Sequence, residues 1–141
     1  MESKKQIIIY VFIILLVFFG IVFYNSKNSN SNLQIEESAV NIYYFWVQGC
    51  SYCAAESIWI EEMEEKYESI NFLKLEANKN SGIFLSLLEK FDVSLNMRGS
   101  VPATFIGDKY FIGFNQEIGE EMEEKIKECF EEENCVNPLN K

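Results

Sequence analysis

Histidine is missing altogether from the 141 residues. That removes Ser-His and Cys-His nucleophile pairs, histidine-ligated zinc and histidine proton relays from the available chemistry. Positive charge is scarce as well: 12 Lys and Arg stand against 22 Asp and Glu, for a formal net charge of -10. Residues 1–24 carry only Glu2, Lys4 and Lys5, so the acidic excess falls in the remainder. A domain of that sign repels phosphate backbones and anionic headgroups, so nucleic acid is not an expected partner. Proline occurs only twice, at Pro102 and Pro138, and there are 4 cysteines. Whatever chemistry the chain performs must come from cysteine, carboxylate, tyrosine or lysine.

What is present divides the chain in two. Ile7 to Phe23 is wholly apolar apart from Tyr10 and Gly20 and carries no charge. With Gln6 and Tyr24 as flanks, it approaches the roughly 20 residues a helix needs to cross hydrocarbon. A secretory signal would have a shorter apolar region and a small-residue cleavage site, whereas this run passes into Tyr24-Asn25-Ser26-Lys27. An uncleaved single-pass anchor over residues 1–24 is therefore expected. Lys4 and Lys5 precede the run and Lys27 follows it, which leaves the N-terminus in the cytoplasm and the remainder outside the cell membrane. Residues 25–38 are polar and rich in Asn and Ser, with too little apolar surface to offset the entropy of ordering them, and read as a flexible linker.

One folded domain is expected over 39–137, with 138–141 as a tail. Val40 to Val47 is β-branched and aromatic nearly throughout, as for a strand buried on both faces. From Ser51 to about Tyr67, Ala55, Trp59 and Met63 recur at four-residue spacing with Ile58 beside them, and predict an amphipathic helix with that stripe inward. Ile70 to Glu76 alternates as a second strand. Asn80 or Ser81 can cap a second helix whose apolar residues are Ile83, Phe84, Leu87, Leu88 and Phe91. Ala103–Ile106 and Tyr110–Ile112 flank Gly107-Asp108-Lys109 as a hairpin. Glu117 to about Glu132 forms a last helix with Ile118, Met122, Ile126, Cys129 and Phe130 on one side. The order βαβαββα gives an α/β fold with a four-stranded mixed sheet flanked by helices, its first two strands parallel through a right-handed crossover.

Cys50 and Cys53 fall where the first strand gives way to the first helix, in Gly49-Cys50-Ser51-Tyr52-Cys53. Backbone N–H groups and the positive end of the helix dipole face the Cys50 sulfur there, favouring its thiolate by roughly 0.3–2 kcal/mol. Cys53 lies one turn later and can close a disulfide with it. Such a pair supports thiol–disulfide exchange: the Cys50 thiolate attacks a partner disulfide, and Cys53 releases the reduced partner. A zinc knuckle is disfavoured, because the second pair, Cys129 and Cys135, has five intervening residues in place of two to four. No metal and no cofactor are expected. Cys129 reads as a buried inert residue on the last helix, as half of a disulfide with Cys135 that pins the C-terminus, or, with Cys135, as a second redox relay.

These features resemble the thioredoxin and glutaredoxin superfamily. Phe45-Trp46 is similar to the thioredoxin approach strand, Cys50-Ser51-Tyr52-Cys53 to the glutaredoxin dipeptide type, and Arg98-Gly99-Ser100-Val101-Pro102-Ala103-Thr104 to the family's cis-proline loop. The resemblance implies a thioredoxin-like fold over about residues 40–135, with a cis Val101–Pro102 bond facing the redox pair. It further implies that Val101 and Pro102, with Ser51 and Tyr52, bind an extended substrate segment. The run from Val101 to Tyr110 and the late cysteine pair look like thioredoxin-like domains joined to cytochrome c biogenesis-type or disulfide-reductase membrane modules. Protein disulfides or dithiols are then the expected partners, together with a membrane electron-transfer protein, and the role is reductant or electron relay outside the cytoplasm. The same residues run in reverse make an oxidase or isomerase, and without turnover the fold makes a binding module. One departure concerns proton transfer. The family's buried acid on the strand before the redox pair is replaced by Tyr44, which leaves Glu56 and Glu76 as the nearest carboxylates; both read as solvated side chains.

Overall fold

A computed structural model describes residues 40–131 and 135–141. The expected anchor over 1–24 and linker over 25–38 lie outside the described residues. Among the described residues no helix is long and apolar enough to cross a membrane.

The run from Val40 to Trp46 forms β1, and it is central because it hydrogen-bonds on both edges. It pairs in parallel with β2 (Ile70–Glu76), from Val40 opposite Ile70 to Trp46 opposite Glu76. On its other edge it pairs antiparallel with β3 (Ala103–Ile106), with Tyr44 opposite Thr104 and Tyr43 opposite Phe105. A strand with two neighbours and covered faces has no solvent side, which explains the nearly unbroken apolar run. The edge strand β4 (Lys109–Ile112) completes the order β2-β1-β3-β4. This is the βαβαββα arrangement of a thioredoxin-like α/β fold, with a mixed four-stranded sheet.

Alternation along β1 sends its side chains to two separate layers. Ile42 and Tyr44 face the helices α1 (Ser51–Lys66) and α3 (Gln116–Glu131), packing with Ile60, Met63, Ile106, Met122 and Ile126. Tyr43 and Phe45 face the other way, toward α2 (Ser81–Lys90), where Phe45 stacks on Phe84 at 4.6 Å and meets the edge of Phe105 at 5.9 Å. Each such fully buried side chain contributes about 1.5–3 kcal/mol.

Three expectations are corrected here. The inward stripe of α1 is Cys53, Glu56, Ile60 and Met63; Ala55 is exposed and Ile58 is 62% exposed. The apolar pattern misled because Glu56 occupies a core position, so the true face carries an acid where the sequence pattern favours Ala55 and Trp59. The hairpin turn is the pair Gly107-Asp108, with Lys109 already in β4, and Gly107 supplies the positive φ of 56° that the tight reversal requires. Residues 138–141, expected as a tail, fold back on the domain. Pro138 is buried at the start of a 3-10 turn, Tyr43 donates its hydroxyl hydrogen to Asn137 Oδ1 at 3.2 Å, and Lys141 Nζ lies 4.0 Å from the Phe91 ring centre.

Candidate active site

Gly49, at φ +80°, turns the chain at the end of β1 so that Cys50 can cap α1. Cys50 keeps an extended backbone, and its Sγ accepts the Cys53 backbone N–H at 3.1 Å. No acidic residue occupies the first turn of α1. No acid of that turn therefore opposes negative charge on the sulfur, and the amide that reaches it stabilises a thiolate. Cys50 and Cys53 are joined in a disulfide with their Cα atoms 5.2 Å apart. Cys50 is half-buried while Cys53 is 3% exposed, so an incoming partner meets Cys50 first.

The Val101–Pro102 peptide bond is cis and sits beside the pair, with Val101 O 3.9 Å from Cys50 Sγ. Arg98 Nε donates to Val93 O at 2.8 Å and Gly113 N to Pro102 O at 2.8 Å, which fixes the loop from both ends. Ser51 is exposed and Tyr52 is 64% exposed, on the rim next to Cys50. The disulfide also borders a cleft of about 260 Å³ lined by Tyr44, Trp46, Gly49, Cys50, Cys53 and Ser57. Of the residues expected to bind substrate, Val101 brings its carbonyl oxygen to 3.9 Å from Cys50 Sγ, Pro102 after it is buried, and Ser51 and Tyr52 follow Cys50 in the chain with exposed side chains.

Beneath the pair lies a polar layer that the sequence reading did not assemble. Tyr44, 1% exposed, places its hydroxyl 2.7 Å from Cys53 O and 3.1 Å from Ser57 Oγ, while Ser57 Oγ is 2.9 Å from Cys53 O. With one hydrogen per hydroxyl, two of these three contacts are donated at a time, and each of the three arrangements ties the Cys53 carbonyl to β1, directly or through Ser57. Burial pushes the Tyr44 phenol up, so it is neutral near pH 7 and a poor proton acceptor. Thr104, opposite Tyr44 on β3, donates its hydroxyl hydrogen to Glu56 Oε1 in a short contact. Glu56 is 1% exposed, which corrects its reading as a solvated carboxylate; burial raises its carboxyl to about 7, with the Thr104 hydrogen bond pulling the other way. Glu76 does meet solvent and pairs with Lys79 at 2.5 Å. The signal available for Glu56 was its place three residues after Cys53, and its hydroxyl partner was visible as the Thr that follows Pro102-Ala103.

The second pair is separate. Cys129 and Cys135 form a disulfide with Cα atoms 4.7 Å apart, and both sulfurs lie against Gly107. Gly107 follows β3 and Val101 precedes it, so the two disulfides sit at opposite ends of that strand. Cys129 is buried, Cys135 half-buried, and Lys125 closes the same corner by pairing with Asp108 at 2.8 Å and Glu128 at 2.9 Å.

Fold and site together define a thioredoxin-like α/β domain carrying a Cys-x-x-Cys disulfide at a helix start, faced by a cis-proline loop. No protein-family model matches the chain, and no curated protein matches it. Among solved structures it is similar to oxidised mitochondrial thioredoxin 3 from Saccharomyces cerevisiae, at 16% identity over 65% of this chain and 80% of that one, with a TM-score of 0.49. It is also similar to thioredoxin from Trypanosoma brucei brucei, at 17% identity over 68% of this chain and 79% of that one, with a TM-score of 0.48. Glutaredoxin from Archaeoglobus fulgidus matches at 18% identity over 62% of this chain and 87% of that one, with a TM-score of 0.45.

Proposed function

We propose that the chain is a membrane-anchored thiol–disulfide oxidoreductase that exchanges disulfides with protein partners outside the cytoplasm, as a reductant or electron relay. The observation that carries this reading is the half-buried Cys50, whose sulfur accepts the Cys53 amide N–H, is bonded to the buried Cys53 and lies 3.9 Å from Val101 O. In the reduced form the Cys50 thiolate attacks one sulfur of a partner disulfide, whose other sulfur leaves as a thiolate. A mixed disulfide results. Cys53 then attacks Cys50 Sγ, forming the intramolecular bond and expelling the partner's second thiolate. Two electrons pass from the cysteine pair to the partner, and a dithiol donor, in this reading a membrane electron-transfer protein, restores the pair. Val101, Pro102, Ser51 and Tyr52 hold the partner segment beside Cys50.

The anchor in this reading is the apolar run Ile7 to Phe23, with the short N-terminus cytoplasmic. A disulfide at Cys129–Cys135 fits the same compartment, since structural disulfides persist where the surroundings oxidise. Reduction of insulin by the full chain with dithiothreitol as donor tests the activity. Acceleration of precipitation by the wild type, abolished in Cys50→Ser, is expected. No acceleration over dithiothreitol alone leaves only a binding module, and a Cys50→Ser variant that keeps the rate removes Cys50 as nucleophile.

A further inference from the structure

Before Cys53 attacks the mixed disulfide it must lose its proton, and the nearest side chain on β1, Tyr44, is a neutral phenol already tied to the Cys53 carbonyl. Glu56 is the only buried carboxyl group among the described residues. It shares the inward face of α1 with Cys53, three residues on, where side chains are neighbours with Cβ atoms about 5–6 Å apart. We propose that Glu56 is the proton acceptor for Cys53, taking the thiol proton as Cys53 closes on Cys50 and returning it when the pair is reduced. This rests on the exchange activity proposed above.

The surroundings of Glu56 distinguish this from a filling role. Among the described residues no cation pairs with it; its partner is Thr104, on the strand that leaves the cis-proline loop. From β1 it faces the neutral Tyr44. On α3 the buried Lys125 is engaged by Asp108 and Glu128, and on β2 Glu76 pairs with Lys79. A buried acid without a counter-ion is destabilising whenever it is charged, a cost that filling the space alone does not require. Burial also brings this carboxyl to about 7, close to where an acceptor for a thiol proton works best near neutral pH.

The step balances. Glu56 carboxylate takes the hydrogen of the Cys53 thiol, directly or through one water. The Cys53 sulfur bonds to Cys50 Sγ as the bond from Cys50 to the partner sulfur breaks, and that sulfur leaves with the electron pair and is protonated from solvent. The cysteine pair is oxidised by two electrons and the partner disulfide is reduced.

Single-turnover oxidation of the reduced full chain by a peptide disulfide, acid-quenched and weighed by mass spectrometry from pH 5 to 9, separates formation of the Cys50 mixed disulfide from its decay. In the wild type, decay should rise through a step near pH 7. In Glu56→Gln, formation should be unchanged, decay at pH 7 should slow at least about tenfold, and the step should move toward the ordinary thiol range near about 8.5. Glu56→Asp should restore part of the step. Thr104→Val, which removes the hydrogen bond favouring the ionised form, should move the step upward, and this variant decides the matter if the Gln variant does not fold. A Gln variant that decays with the wild-type profile, or a Thr104→Val step that stays in place, overturns the proposal. Absence of any mixed disulfide on wild-type Cys50 would instead overturn the exchange reading on which it stands.

Discussion

Glu56 and a glutamine in its place would fill nearly the same volume, so their difference isolates a charge. Between about pH 4.5, the ordinary carboxyl value, and about 7, the folded protein holds a proton on Glu56 that the unfolded chain has released. More protons bound in the folded state means stability falls as pH rises across that window. The loss is complete above about pH 7 and amounts to about 3 kcal/mol from this group. Glu123 acts oppositely and elsewhere: Lys66, Lys127 and Tyr67 hold its carboxyl down at about 2, so its contribution is lost only in acid. In Glu56→Gln the amide hydrogens face the same buried site at every pH, a constant penalty of about 1–3 kcal/mol. The expected result in urea unfolding of the oxidised protein is that the variant gains on the wild type by about 3 kcal/mol between pH 4.5 and pH 8. A stability difference that stays flat over that range would mean Glu56 is not held protonated by the fold.

At the scale of elements, the order of strands and helices was legible because each repeats at its own period and is bounded by turn residues. Ile70–Glu76 begins and ends as its pattern indicates, Val40–Trp46 begins so but stops one residue short of the expected Val47, and the place of Cys50 at the start of α1 follows from Gly49. The inward face of α1 was not legible, since an acid in a core position breaks the periodicity from which a face is read. Nor was the polar layer of Tyr44, Ser57, Glu56 and Thr104, which depends on β1 lying opposite β3 in one register. The turn between β3 and β4 carries a second lesson about local and distant causes. Its glycine is required by backbone conformation, but a Cβ added at Gly107 would also lie 3.2 Å from Cys135 Sγ and 3.3 Å from Cys129 Sγ. Bonded sulfurs cannot swing aside as a free side chain can. Gly107→Ala should therefore cost about 1–2 kcal/mol for the left-handed backbone, with the steric penalty added. Combined with Cys129→Ala and Cys135→Ala, the same change should cost less, keeping the backbone part and the contact with Lys125 Cε at 3.3 Å; equal losses in the two backgrounds, measured by denaturant unfolding, would show that the disulfide does not crowd the turn.

The whole molecule combines a reaction that works in either compartment with a proposed address that the folded domain does not itself supply. Thiolate formation at Cys50 depends on the helix start, and the sheet that presents it is complete within residues 40–131. The address rests on residues 1–27: a charge-free run over 7–23, with Lys4 and Lys5 before it and Lys27 after. Positive charge resists transfer across the membrane, and two lysines ahead of the run set the expected orientation. The formal net charge of -10 disfavours polyanionic partners, in keeping with the protein partners proposed for Cys50. In intact cells making the full chain, a membrane-impermeant maleimide applied after an impermeant reductant should label Cys50, and Cys50→Ser should lower that labelling while the chain stays with the membrane through an alkaline wash. Recovery in the soluble fraction would remove the anchor from the proposal. Labelling that appears only after the membrane is permeabilised would place the thiols on the cytoplasmic side, where the surrounding thiol pool would work against keeping Cys129 and Cys135 bonded.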